Sequence, residues 1–275
     1  MVVSQVQNFI TEHSLFTKNE LVIIAISGGK DSVSLAHALK ELDFEMMLAH
    51  CNFNLRGHES DGDEAFVREL ANDFDCEIVV KHFETNLLNE PGESIQMTAR
   101  RLRYGWFEEL LKEYPQAVLA TAHSANDNTE TLIYNLTKGT GIKGLRGIAP
   151  KLNGLVRPLL SCTSEDILAY LGENQFAYRE DSSNDSDKYA RNFIRRHVVP
   201  KLKEINPSLH QTMANNARHF NDYAAFSYEA IEQIKDDFSQ EDSSEIIIDL
   251  TGLKKIDGYR SVLIEWLGEY GFNPT

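Results

Sequence analysis

The stretch "LVIIAISGGKDS", residues 21 to 32, decides how the rest of the chain is read. Its first six residues are apolar without alternation, the pattern of a strand buried on both faces. They give way at once to Ser27, Gly28, Gly29, Lys30, Asp31 and Ser32. Two glycines let the backbone take positive φ and approach a ligand closely, while Asp31 and Ser32 open a helix whose first N–H groups have no partner within it. Such a hexapeptide is a candidate nest for a phosphate or pyrophosphate, with hydroxyl donors from Ser27 and Ser32. A plain strand-to-helix turn with a cap would use the same residues. The Walker A spacing cannot be fitted around Lys30.

Three further apolar runs, "FEMMLAH" (44 to 50), "EIVVKHF" (77 to 83) and "AVLATAH" (117 to 123), repeat the strand pattern. Between and after them, residues 31 to 42, 59 to 74, 94 to 112 and 125 to 137 have helical periodicity. Strands alternating with helices predict an α/β fold, a doubly wound and mostly parallel sheet with ligands at the carboxyl ends of its strands. Within 94 to 112, Ile95, Ala99, Leu102, Trp106 and Leu110 form the expected buried stripe.

After residue 138 the pattern loosens. "GTGIKG" (139 to 144) follows a helix instead of a strand, so it lacks the context of a dinucleotide fingerprint and is expected to be a mobile loop. A short extended "LVRPLL" (155 to 160) and a helix at 164 to 174 come next. Pro200 and Pro207 mark a break, which puts one domain at 1–207 and a smaller, mainly helical one at 208–275. The abrupt close on "GFNPT" leads to the expectation that this second domain is truncated.

A net charge of -15 excludes a general polyanion binder, yet the charge is segregated. Residues 187 to 203 carry six Lys or Arg against one Asp, and residues 229 to 249 carry eight acids against one Lys. That division predicts one anion-facing surface. Cys51, Cys76 and Cys162 form no CxxC pair and are expected to be ordinary thiols. No apolar run reaches the roughly 18 residues of a membrane span, and the N-terminus has no secretory pattern, so a cytoplasmic location is expected.

Several chemistry-bearing residues fall at predicted strand ends. His50, Asn52 and Asn54 follow the second strand, where a nucleoside would lie in such a fold, although the asparagines would serve equally as structural caps. His123, Asp127 and Glu130 are spaced by four and three, which puts them on one helical column. Carboxylates so placed can hold a metal, with Asp31 and Asp127 the candidates, or an ammonium group. The competing reading is a helix cap beside a core histidine.

"SGGKDS" resembles the pyrophosphate loop of the PP-loop ATPases, which adenylate a substrate and release pyrophosphate. Four further stretches narrow the resemblance to the tRNA(Ile)-lysidine synthase family: "HCNFNLRGHESDGDEAFV" (50 to 67), "ARRLRYGWF" (99 to 107), "ATAHSANDNTETLIYNLTKGTGIKGLRG" (120 to 147) and "EDSSNDSDKYARNFIRR" (180 to 196). The resemblance implies a PP-loop (N-type ATP pyrophosphatase) architecture, use of ATP and Mg²⁺, and two substrates, a CAU-anticodon isoleucine tRNA and free L-lysine. In that reaction ATP adenylates the carbon-2 oxygen of the wobble cytidine, and the lysine ε-amine then displaces AMP to give lysidine. It also implies catalytic roles for Asp31, Arg103, Asp127 and Glu130, and ATP contacts from Ser27 to Ser32, His50, Asn52 and His123. Arg191, Asn192, Arg195 and Arg196 would contact the tRNA. Phe53, Ser124 and Asn126 depart from the family pattern, in which His, His and Asp are more usual.

Two other activities share the glycine loop. A PP-loop tRNA cytidine 2-thiolation enzyme would need CxxC chemistry that this sequence lacks, and a nucleotide-binding sensor would leave Asp127, Glu130 and Arg103 without a task. No membrane partner is expected, and a homodimer stays open.

Overall fold

In the computed structural model, which describes residues 1–180, 190–242 and 245–272, the four apolar runs form the parallel centre of one sheet. These strands are β1 (Val22–Ala25), β2 (Met46–Asn52), β3 (Glu77–His82) and β4 (Val118–Ala120). Two short strands, β5 (Lys151–Leu152) and β6 (Leu155–Val156), complete a six-stranded sheet of order β3-β2-β1-β4-β6-β5, in which only β5 runs antiparallel. The chain leaves β1 in one direction for β2 and β3, then crosses back to β4 on the other side of β1. A crevice therefore opens outside the carboxyl ends of β1 and β4.

Helices cover both faces of this sheet, which is why β1 shows no alternation of polarity. Val22 and Ile24 point into a core built with α1 (Val2–Glu12), α2 (Lys30–Glu41), α3 (His58–Phe74) and part of the later chain. Ile23 points the other way, against Met47, Leu119 and the aromatic side chains of α4 (Ile95–Glu113). All three β1 residues are fully buried, each stabilising the fold by about 1.5–3 kcal/mol.

The stripe of α4 starts a turn later than its periodicity predicts. Trp106 and Leu110 are buried and Ala99 and Leu102 half-buried, but Ile95 is 37% exposed. Ser94 caps the helix there by accepting the Met97 N–H, and Thr98 takes the inner position. Thr98 can be buried because its hydroxyl donates to Glu93 and accepts from Asn89.

After β4 come α5 (Ala125–Lys138), a single turn α6 (Ile142–Leu145) where a loop is expected from the sequence, and α7 (Ser164–Asn174). Then follow α8 (Ala190–Phe193), a π-helical stretch Ile194–Val198, α9 (Val199–Ile205) and the 30-residue α10 (Leu209–Phe238). The chain divides into two compact units, one of residues 1–139 and 147–214, the other of 140–146 and 215–275. Inside the second, Lys143 pairs with Glu265 at 2.6 Å, Lys235 bridges Glu232 and Glu269, and a two-stranded antiparallel ribbon joins Ser239–Asp242 to Glu245–Ile248. Among the described residues no helix is long and apolar enough to cross a membrane.

Candidate active site

Ser27 to Ser32 fold as a strand-to-helix turn closed by its own hydroxyl groups. Gly28 adopts φ +85° and Gly29 is the N-cap of α2, so the N–H groups of Lys30, Asp31 and Ser32 have no helical acceptor. Ser32 Oγ donates to the Gly29 carbonyl at 3.0 Å and accepts the Ser27 N–H at 3.2 Å. The Ser27 hydroxyl lies 3.1 Å from Ser32 Oγ and accepts the Gly29 N–H at 3.3 Å. The loop is thus shaped before any ligand arrives, and positive helix-end charge favours an anion there. Lys30 Nζ pairs with Asp31 at 2.7 Å and reaches Ser164 Oγ, on the first turn of α7, at 3.4 Å.

Across the crevice, α5 opens with Ser124 as N-cap. Asp127 Oδ2 accepts both the Ser124 N–H at 2.8 Å and its hydroxyl at 3.0 Å, which orients the carboxylate. One turn on, Glu130 is 2% exposed and receives a two-pronged hydrogen bond from Arg195: Nε to Oε1 at 2.6 Å and Nη2 to Oε2 at 3.1 Å. Arg195 also stands 3.7 Å from Asp127, and its positive charge is favoured by Asp31 of the glycine loop as well. Burial pushes the Glu130 carboxyl up, and the Arg195 guanidinium opposes that push. Arg191 donates to the Asp127 carbonyl at 3.3 Å and to the Thr131 hydroxyl.

One arginine, Arg195, thus pairs with Glu130, stands near Asp127 and feels the charge of Asp31, although it lies 65 residues beyond Glu130 in the chain. The PP-loop domain family matches residues 1–202. The chain belongs to that family. Among curated proteins, this PP-loop chain is similar to the tRNA(Ile)-lysidine synthase of Porphyromonas gingivalis (strain ATCC BAA-308 / W83), at 42% identity over 98% of this chain and 59% of that protein. It is also similar to that of Parabacteroides distasonis, at 39% identity over 98% of this chain and 61% of that protein. The chain therefore spans about six-tenths of the length of these relatives. A solved structure, the U34-tRNA thiolase NcsA from Methanococcus maripaludis, shares the fold: TM-score 0.67, 17% identity, 79% of this chain and 77% of that chain covered. The resemblance drawn from "SGGKDS" and its companion motifs is borne out.

The residues expected to lie beside a nucleoside are tied into the frame of this PP-loop chain. His50 is buried, and its Nδ1–H donates to the Ile26 carbonyl at 2.8 Å, which fixes the tautomer and leaves Nε2 as the acceptor; burial holds its pKa below the ordinary value. Asn52 donates to Glu64 at 2.9 Å and accepts the Asn54 N–H at 3.1 Å, while Asn54 takes φ +50°. Glu64 also meets His82 at 2.6 Å and Arg68 at 2.9 Å. Burial pushes Glu64 up, but the bonds from Asn52, His82 and Arg68 outweigh it and hold the carboxyl at about 2. Asn52 and Asn54 thus act as caps and network members in the free chain.

His123 meets the Thr121 hydroxyl at 3.0 Å. Burial is the main reason its pKa falls to about 4; Asp127 opposes the fall, and Arg157, Arg191 and Arg100 add to it. At neutral pH it is uncharged. Arg157 was not singled out by sequence reasoning. It is 7% exposed, donates to the Ala149 carbonyl at 2.6 Å and interacts electrostatically with Tyr104, while its buried Nε has no hydrogen-bond partner among the described residues. The available signal was one arginine inside the apolar "LVRPLL".

Arg103 lies with its guanidinium 5.3 Å from the Phe53 ring centre and acts electrostatically on the Cys51 thiol, while Arg100 stacks 4.7 Å over Tyr104. The three departures from the family pattern each have structural work: Phe53 stacks on Phe83, Ser124 caps α5, and Asn126 Oδ1 accepts the Ser164 N–H at 2.9 Å. Arg196 shares the π-helical stretch with Arg195, and Asn192 lies on α8 just before it. Residues 181 to 184 of "EDSSN" lie outside the described residues.

Among the described residues no three His, Cys, Asp or Glu side chains form a metal cage. Magnesium does not need one, because it binds through one or two carboxylates together with substrate phosphates and water. Asp31 at the loop and Asp127 across the crevice fit that sparse donor set.

Proposed function

We propose that this chain is the adenylating part of a tRNA(Ile)-lysidine synthase. The observation that carries the proposal is the pairing, in one crevice, of a preformed anion nest at Ser27–Ser32 with a buried carboxylate, Glu130, held by Arg195. The nest suits a leaving pyrophosphate. The carboxylates suit an ammonium group, for which Arg195 is the internal substitute in the free chain. The 42% identity to a curated lysidine synthase supports a lysine and a wobble cytidine as the two reactants.

In the first step the carbon-2 oxygen of the cytosine attacks the α-phosphorus of ATP, and pyrophosphate leaves into the nest. Asp31 and Asp127 are the residues that would hold a magnesium ion, which would supply positive charge to the phosphates. Backbone N–H groups of the loop, Lys30 and an arginine of the crevice stabilise the developing charge, Arg103 being the choice from the family motif. In the second step the ε-amine, having given up a proton, attacks carbon 2; the carbon–oxygen bond breaks and AMP departs. Glu130, whose pKa burial raises against the pull of Arg195, is the carboxylate proposed to accept that proton. Arg191, Asn192, Arg195 and Arg196 engage the tRNA before the first step, with a splayed cytosine required because carbon 2 is inaccessible in a stack. A cytoplasmic location fits those substrates.

The thiols give no support to sulfur delivery. Burial pushes Cys51 up to about 12, Cys162 up to about 11 and Cys76 upward as well, so all three stay protonated. The test is incubation with CAU-anticodon isoleucine tRNA, Mg·ATP and labelled lysine, followed by nucleoside mass spectrometry. Lysine at the wobble cytidine is the expected result. If a full-length relative modifies the same tRNA while this chain forms neither lysidine nor tRNA-dependent AMP, the proposal fails for this chain.

A further inference from the structure

The stretch "SDGDEAF" (60 to 66) takes no part in the chemistry above, yet it faces the glycine loop. The Gly28 carbonyl accepts the Arg179 N–H at 2.9 Å, in an isolated parallel bridge between Gly29 and Arg179. Because the peptide is trans, the Gly29 N–H points the opposite way, where Ser27 Oγ accepts it. Arg179 is itself held: its Nε donates to Asp63 Oδ1 at 2.9 Å, and Arg56 fills Oδ2 at 2.8 Å. The Asp63 side chain is 13% exposed, and both its oxygens are taken by arginines from outside α3. The approach is tight on both sides. A Cβ on Gly62 would lie 3.0 Å from Arg179 Nη2, and one on Gly28 would lie 3.3 Å from the Phe66 ring.

A peptide between two glycines meets little steric resistance to flipping. Flipped, the Gly28–Gly29 unit would turn its carbonyl oxygen away from Arg179 and into the nest, where it would repel an anion. We propose that Asp63 is a positioning residue for the pyrophosphate loop: by clamping Arg179 it keeps the Gly28 carbonyl turned to the Arg179 N–H and out of the nest. The clamp works at a distance from the phosphates, so it alters the binding of nucleotide and pyrophosphate without touching the transferred atoms. The inference rests only on the nucleotide-binding half of the proposed function.

The experiment is calorimetric titration of Asp63→Ala, Asp63→Asn and the parent chain with pyrophosphate and with Mg·ATP, alongside thermal melts and steady-state adenylation. Asp63→Ala is expected to weaken pyrophosphate about tenfold and raise KM for ATP by a similar factor, with kcat at saturating ATP little changed. Asp63→Asn, which keeps an acceptor for Arg179, recovers part of the loss. Should Asp63→Ala fail to fold, Arg179→Met supplies the same comparison with the Arg56–Asp63 pair intact. Parental pyrophosphate affinity in folded Asp63→Ala or Arg179→Met, or a loss confined to kcat, overturns the inference. A parent chain that binds neither ligand overturns the nucleotide reading itself and the inference with it, and that failure is recognisable because it appears without any substitution.

Discussion

The two sides of the crevice are built from different materials. On the glycine-loop side, backbone N–H groups and short hydroxyl side chains do the work, and their partners, Arg179 apart, lie within six residues, only the longer Lys30 side chain reaching out to Ser164. On the α5 side, charged side chains balance one another across long stretches of sequence, Arg195 facing Glu130 across 65 residues and Asp127 across 68. A main-chain site is ready for its ligand when the chain folds. A site of paired charges must instead exchange an internal partner for an incoming one, so under the proposed function an ammonium substrate would compete with Arg195.

The largest expected effect tests whether both sides are needed. Asp127→Asn keeps a side chain able to cap α5 but removes the charge; tRNA-dependent ATP–pyrophosphate exchange should fall about 100-fold or more while the melt stays cooperative. Arg103→Ala is expected to act in the same direction, and parental exchange rates in either variant would remove that residue from the mechanism.

Charge balance on the α5 side predicts a different pattern in stability. Arg195→Met strands the buried Glu130 carboxylate and should cost about 1–3 kcal/mol in urea unfolding. Adding Glu130→Met should restore much of that loss, since an apolar pair replaces a buried ion pair. Equal unfolding midpoints for all three chains would mean that the pair contributes nothing, and the contrast between the two sides would collapse.

Backbone geometry carries the loop side. Gly28→Ala forces a Cβ into φ +85° beside Phe66, with an expected penalty of about 1–2 kcal/mol and weakened ATP binding; binding unchanged from the parent would separate the loop from the nucleotide.

The smallest effect is a pH slope. His123 and His37 are both held near 4 in the folded chain, mainly by burial, against 6.5 for an ordinary histidine. Between those values the unfolded chain binds more protons, so their contribution is complete above pH 6.5 and is lost as pH falls toward 4. Chemical unfolding from pH 4 to 7 should show stability rising with pH, and His123→Asn should flatten the rise; an identical slope in the variant would mean that His123 does not titrate as described.

Much of the frame was legible in the chain. The strands of β1 to β4 and helices α2 to α5 fall within a few residues of their periodic segments, because each strand is buried on both faces and each helix on one. Ile95 misled because a helical stripe says which side faces inward but not how far along the helix the sheet extends. "GTGIKG" formed a helical turn whose partners, such as Glu265, lie more than a hundred residues away. Arg157, Asp63 and Arg179 escaped notice for the same reason: no local pattern marks an arginine whose acceptors come from other segments.

By itself the sequence determined the parallel sheet, the anion nest after its first strand and the family, since these follow from local apolar patterning, two glycines and a helix start. Only the tertiary structure decided what each charge faces. Arg195 lies on Glu130, Arg179 on Asp63 and His50 on the Ile26 carbonyl, because partners that distant in sequence are chosen by how the strands and helices pack.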